Sequence, residues 1–188
     1  MPKKTSFNKA KILKKITLLF HSKGYCATSM QDIVEASNLN RSSIYNSFGS
    51  KLELFIECFD DAETKYKRDI QKIIMTSTNP LKSIRDVFEM SINRSFNGYL
   101  IPNFFSEIKN DETQINRLIK NHQAYLLELF EDLVKRGQSL GSINNSKSSN
   151  QYANYLLTSY HGLQTMKTFS ETDYKLQNVI YNILSVIE

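Results

Sequence analysis

Apolar residues recur at intervals of three and four along almost the whole chain, a spacing that admits α-helices and little else. Ile12, Ile16, Leu19 and Phe20 form the first such stripe, over about 7–23, and Gly24 supplies its stop. Strands would appear as alternation bounded by turn residues. The 188 residues hold only six Gly and three Pro and show no convincing alternation and no internal repeat. The pattern predicts an all-α protein of about nine helices.

Start and stop signals divide the chain further. Thr28-Ser29-Met30-Gln31 reads as a capping box, with Thr28 the cap and Gln31 its reciprocal partner, opening a short helix to about Ser37. Asn38-Leu39-Asn40 is a turn, and Asn40 can cap a second short helix from Arg41 to about Ser47, which Phe48-Gly49 ends. Ser50-Lys51-Leu52-Glu53 is another capping box and opens a long helix to about Met75. Asn79-Pro80 pairs a cap with proline at the first helical position and starts a helix to about Phe96. A kinked connector at 97–102 and a short helical turn near 103–109 follow. Asp111 or Thr113 caps a helix to about Arg136, with Ile115, Leu118, Ile119, Leu126, Phe130 and Leu133 as its stripe. The segment 137–150 is a polar, flexible linker by composition, and helices over about 150–169 and 172–187 close the chain.

Charge is distributed unevenly. Residues 1–55 carry nine Lys/Arg against three Asp/Glu, while the other 133 carry 15 against 16. The whole net charge of +5 therefore lies in the first third, as expected of a head that binds a polyanion. No apolar run approaches the roughly 20 residues of a membrane span, and the basic start leads into amphipathic rather than uniformly apolar sequence. The expectation is a soluble, cytoplasmic protein. Cys26 and Cys58 form no ligand cluster and no CxxC, so no metal or cofactor is expected, and both are read as buried, inert thiols. No phosphate loop, HExxH or GxSxG is present, so no catalytic residue is named and an enzyme is not expected.

The last two helices carry more apolar surface than one buried face needs. Tyr152, Tyr155, Leu156, Leu157, Tyr160, Leu163, Met166 and Phe169 cover roughly 240° of a helical wheel, against the 100° or so of an ordinary buried stripe. Leu176, Val179, Ile180, Ile183, Leu184, Val186 and Ile187 cover roughly 160°. Burial inside the one domain would cover the surplus, but a twofold partner presenting the same helices is the favoured answer, with Tyr160, Leu163, Val179, Ile183 and Ile187 as the expected interface.

The segment 28–51 has the order helix, short turn, helix, cap: a helix-turn-helix, whose second helix enters the DNA major groove. Leu39, Ile33, Ile44 and Phe48 can pack inward, leaving Arg41, Ser42, Ser43, Tyr45, Asn46 and Ser47 to face outward. Arg reads guanine and Asn reads adenine, while short hydroxyls let the backbone approach the duplex. The helix starts at Thr28 and Ser29 and at Ser50–Leu52 suit phosphates, and Lys51 adds a charge there.

These residues carry a resemblance. Ile12-Leu13, Leu19-Phe20, Gly24-Tyr25, Thr28-Ser29-Met30, Ile33, Ala36, Leu39, Ser43-Ile44-Tyr45, Phe48 and the run Ser50 to Phe55 closely resemble the N-terminal domain of TetR-family transcriptional regulators. In place of the family's usual Gly-Val-Ser, the turn reads Asn38-Leu39-Asn40; Asn tolerates a left-handed backbone and can cap as Ser does. The resemblance implies a DNA-binding domain at 1–50, about 6–66 with the start of the connecting helix, and a ligand-binding and dimerisation domain at 51–188. It also implies a homodimer on double-stranded, palindromic operator DNA, a four-helix interface from the last two helices of each subunit, and a repressor released by a small-molecule effector. Effector binding would shift the long helix that begins at Ser50 and so change the separation of the two heads. Tyr99, Phe104, Phe105, His122, Tyr125, Tyr160 and Gln164 are the expected pocket residues. A constitutive DNA-binding regulator and a helical protein-interaction module are the alternatives.

Overall fold

Asn8 turns the chain into the first helix, α1 (Lys9–Lys23), its side-chain oxygen accepting the Lys11 N–H at 3.0 Å. The computed structural model describes residues 7–93, 113–169 and 173–188. The expected connector at 97–102 and the short turn near 103–109 lie outside them. The described helices continue as α2 (Met30–Ser37), α3 (Arg41–Phe48), α4 (Lys51–Thr76), α5 (Pro80–Asn93), α6 (Thr113–Ser139), α7 (Ser149–Phe169) and α8 (Asp173–Ser185). No strand occurs among the described residues, and the all-α expectation holds.

Most starts are held by the groups the sequence suggests. Asn40 caps α3 by accepting the Ser43 N–H at 2.8 Å, and Ser50 and Glu53 close a reciprocal box at α4. Asn79 accepts the Leu81 and Lys82 N–H groups ahead of α5. At α2 the expected box is displaced by one residue. The cap is Ser29 and its partner is Asp32, whose carboxylate accepts the Ser29 N–H at 2.8 Å while Ser29 Oγ accepts the Asp32 N–H at 3.1 Å. A carboxylate satisfies the cap and the helix dipole together, which Gln31 cannot do.

The chain divides into two compact units, with the division inside α4. The first gathers α1–α3 and α4 as far as Tyr66. Its core is Ile16 and Phe20 of α1, Ile33 of α2, Ile44 and Phe48 of α3, and Leu54, Phe55, Cys58 and Phe59 of α4. Phe20 meets Phe55 edge-on at 5.2 Å between centroids, and Tyr25 meets Phe55 at the same distance.

The second unit gathers α4 from Lys67, α5, α6 from Asn116, α7 and α8. Phe88, Phe130 and Tyr160 form its aromatic centre, with centroids 5.3–5.8 Å apart. The segment between α6 and α7, expected to be a flexible linker, is tied down. Asn144 donates through its N–H to Ile187 O (2.9 Å) and through its amide to Val186 O (3.2 Å), and it accepts the Tyr152 hydroxyl at 2.5 Å. Gln138 donates to Asn144 O and Lys147 O from the other side.

Candidate nucleic-acid interface

The turn between α2 and α3 sets the geometry of the exposed surface. Asn38 takes a left-handed conformation (φ 58°, ψ 31°) and donates its N–H to Val34 O at 2.9 Å. Asn is among the few residues that adopt this backbone at modest cost, so the turn forms without the glycine usual in the family. Asn40 then reverses the chain into α3, accepting the Ser42 hydroxyl at 2.9 Å as well as the Ser43 N–H. Gly49 ends α3 at φ 74°, where a Cβ would overlap the Glu53 carboxylate that closes the next box.

Packing decides which side chains of α3 remain outside. Ile44 and Phe48 are buried, four residues apart, and Ser43 is half-buried beside them. Arg41, Ser42, Tyr45, Asn46 and Ser47 are exposed. The Arg41 guanidinium lies 5.8 Å from the Tyr45 ring centroid, one helical turn away. Stacking of this kind narrows the directions an Arg samples and leaves its donor fork available. The outward face thus offers a guanidinium fork, an amide, a phenol and hydroxyls, the groups that read base edges and phosphates.

Two residues expected at this surface also make contacts within the head, and one of them is turned inward. Thr28 is 1% exposed, its hydroxyl donating to Gly24 O at 2.5 Å and its N–H to Tyr25 O at 3.3 Å, so it fastens the loop ahead of α2 and does not face outward. Lys51 is half-buried: its ammonium donates to Thr28 O at 2.8 Å and sits 4.3 Å from the Tyr25 ring centroid. It bridges the α4 start to the loop before α2. Ser29 remains exposed at the α2 cap, but Asp32 already fills that helix terminus. A hydrogen bond from Lys23, first, and two from Ser29 hold the Asp32 carboxyl down at about 2.

Cys58 is buried, as expected, and burial pushes its thiol up to about 12. Cys26 is exposed, contrary to the sequence reading; it lies in the loop between α1 and α2, where no helical stripe reports which way a side chain faces. Among the described residues no group of three or more His, Cys, Asp or Glu could hold a metal ion, and no helix is long and apolar enough to cross a membrane.

In the body, the expected pocket residues fall into three sets. Tyr99, Phe104 and Phe105 lie outside the described residues. Tyr160 is fully buried against Phe88 and Phe130, and Tyr125 is half-buried with the Lys67 ammonium 4.6 Å from its ring centroid. His122 (1% exposed) and Gln164 (6%) are brought to the same place as His161. Burial lowers the His161 pKa, the neighbouring His122 lowers it further, and a hydrogen bond with the Gln164 side chain partly opposes them. Of the expected interface residues, Tyr160, Leu163 and Ile187 are buried within the single chain, while Val179 and Ile183 are half-buried. The first three are core and have no surface left for a partner.

Residues 12–58 match the family described as bacterial regulatory proteins, tetR family. An uncharacterized HTH-type transcriptional regulator of Bacillus subtilis (strain 168), YezE, is 23% identical over 195 residues, covering 100% of both chains. The HTH-type transcriptional repressor DhaR of Mycobacterium sp. (strain GP1) is 26% identical over 163 residues, covering 80% of this chain and 77% of that one. Among solved structures, the TetR family regulator CifR, a triple cysteine mutant complexed with 26-bp double-strand operator DNA, superposes with TM-score 0.87 at 18% identity, covering 99% of this chain and 100% of that one. A TetR family regulator from Agrobacterium tumefaciens superposes equally well, with TM-score 0.87 at 17% identity over 95% and 96% of the two chains.

The helix-turn-helix, its α3 carrying guanidinium, phenol, amide and hydroxyl groups outward, and the relatives it matches make this a DNA-binding transcriptional regulator and not an enzyme. Over residues 12–58 the chain matches the tetR family of these regulators, and its fold is that of the family's solved members.

Proposed function

We propose that the protein is a cytoplasmic, homodimeric repressor that occupies a palindromic operator and leaves it when a small molecule enters the body. Residues 1–50, about 6–66 with the connecting helix, bind DNA, and 51–188 bind effector and partner. Arg41, Tyr45 and Asn46 read bases, while Ser29, Ser42, Ser43 and Ser47 contact the backbone. The observation that carries this reading is the sorting of α3, with Ile44 and Phe48 inward and Arg41, Tyr45 and Asn46 outward. A relative named as a repressor and a fold relative solved on operator DNA support it. The effector site is built around His122, His161 and Gln164, polar side chains brought together in the body, with Tyr125 three residues along α6 from His122.

Fluorescence anisotropy on DNA flanking the protein's own gene, against scrambled DNA, tests the proposal. A repressor of this kind binds one palindrome at least about a thousandfold more tightly than scrambled sequence, within the usual specificity range. Equal binding to both duplexes would overturn the reading. A small molecule that releases the operator must bind the free state better than the DNA-bound one, so its own affinity must fall when operator is present.

A further inference from the structure

The charged side chains of the head divide into those with partners and those without. Lys9 pairs with Glu57 and Lys23 with Asp32, each at 2.5 Å. Lys51 is bound to Thr28 O, and Arg41 lies over Tyr45. The acids of residues 7–55 are also engaged: Asp32 by Lys23 and Ser29, Glu35 by Gln31, Glu53 by Ser50. What remains among the described residues is Lys11, Lys14 and Lys15, all exposed and each without an ion pair or hydrogen bond from its ammonium.

These three lie at positions i, i+3 and i+4 of α1, on the face opposite Ile12, Leu13, Ile16 and Phe20, close enough for their charges to repel. They also occupy the N-terminal half of a helix with no acidic residue in its first turn, so Lys11 stands against the helix dipole. Neither arrangement helps the isolated protein, and an anion would relieve both. The position is informative too. Phe7 packs on Phe48 with centroids 6.0 Å apart, and the Lys9 ammonium is 5.3 Å from the same ring, so the start of α1 lies beside the end of α3.

We infer that Lys11, Lys14 and Lys15 form a second DNA-contacting surface that holds phosphates outside the segment read by α3. The row adds backbone charge beyond that of Lys51, one of whose donors is already given to Thr28 O. This rests on the reading of α3 as the groove-entering helix. Because phosphate contacts carry no sequence information, the row adds affinity and salt dependence and leaves the base preference unchanged.

The test is the variant Lys11→Gln/Lys14→Gln/Lys15→Gln, with helicity checked by circular dichroism. Its affinity is measured by anisotropy from 50 to 300 mM salt on three duplexes: operator, scrambled sequence of equal length, and operator trimmed to its two half-sites. Each lost phosphate contact lowers the log–log salt slope by about 0.9, so the slope should fall by about 2 to 3 per bound head. Operator and scrambled affinities should drop by the same factor, and trimming the flanks should narrow the gap between wild type and variant. An unchanged slope on scrambled DNA overturns the inference, as does a changed ratio of operator to scrambled affinity. Arg41→Ala runs alongside. If it leaves operator preference intact, the reading of α3 fails, while the slope on scrambled DNA still decides the lysine row.

Discussion

Arg41 lies along Tyr45 on the outer face of α3, so the two side chains are best considered together. Tyr45→Ala removes a side chain that is 44% exposed and also releases the guanidinium it supports. Neither residue belongs to the core, so the expected loss lies in recognition and not in folding. For Arg41→Ala, losing one bidentate base contact costs about 1–3 kcal/mol, or roughly 5- to 150-fold in operator affinity, with binding to scrambled DNA falling far less. Tyr45→Ala should follow in the same direction, and a double-mutant cycle should give less than the sum of the two, because they share one contact. Additive effects on operator affinity would show that the stack does not orient Arg41. The two thiols test burial in a different way. Burial pushes the Cys58 thiol up to about 12, where almost no thiolate exists at neutral pH, whereas Cys26 is exposed. Titration of native protein with a thiol-reactive disulfide should find one thiol per chain, and two in denaturant. Two in the native state would mean that the head opens around Cys58.

At the scale of elements, the start of α2 depends on Asp32, whose folded pKa is lowered from 3.8 to about 2 by Lys23 first and Ser29 second. A lowered carboxyl contributes stability that is complete above the unfolded value and is lost as pH falls from 3.8 through about 2. Wild-type Tm should hold to pH 4 and drop below it; Asp32→Asn should have a lower Tm at neutral pH and a shallower acid limb. Identical acid limbs would remove the box from the account. Several of these elements were legible in the sequence because the signals are local. Asn40, Ser50-Glu53 and Asn79-Pro80 each act within three residues of themselves, and each caps the helix it was expected to cap. The α2 box was misread by one position because Thr28 and Ser29 both carry hydroxyls. What separates them is the Thr28 bond back to Gly24, a loop geometry no periodicity reports. The α6–α7 segment was misread for a related reason. Ser and Asn look like a linker by composition, but Asn144 is held by Val186 and Ile187, more than forty residues away. Lys51 shows a related limit: its bond to Thr28 O, 23 residues away, is visible only in the fold.

For the whole molecule, the question is which apolar residues of α7 and α8 serve the subunit and which are left for a partner. The wheel counted too many for one face, and burial sorts them. Tyr160, Leu163, Ile180, Leu184 and Ile187 are core, whereas Met166 (49% exposed), Tyr181 (60%) and Val186 (47%) face outward, with Leu157, Val179 and Ile183 half-buried among them. A homodimer through these helices must therefore use the second set, and the two sets should fail differently. Leu163→Ala leaves a cavity in the body and should cost about 2–5 kcal/mol of stability. In a dimeric regulator it should lower Tm without splitting the folded dimer. Ile183→Asp with Val186→Glu places four like charges across a twofold contact, where desolvating unpaired carboxylates costs far more than the lost apolar area. That variant should run as a helical monomer in light scattering. It should keep weak binding to scrambled DNA, because each head retains its own charge, and it should lose the steep preference for a palindrome, which needs two heads roughly 34–36 Å apart on successive major grooves. A persistent dimer would move the interface off α7 and α8, and a monomer with undiminished palindrome preference would mean that the heads do not act as a pair.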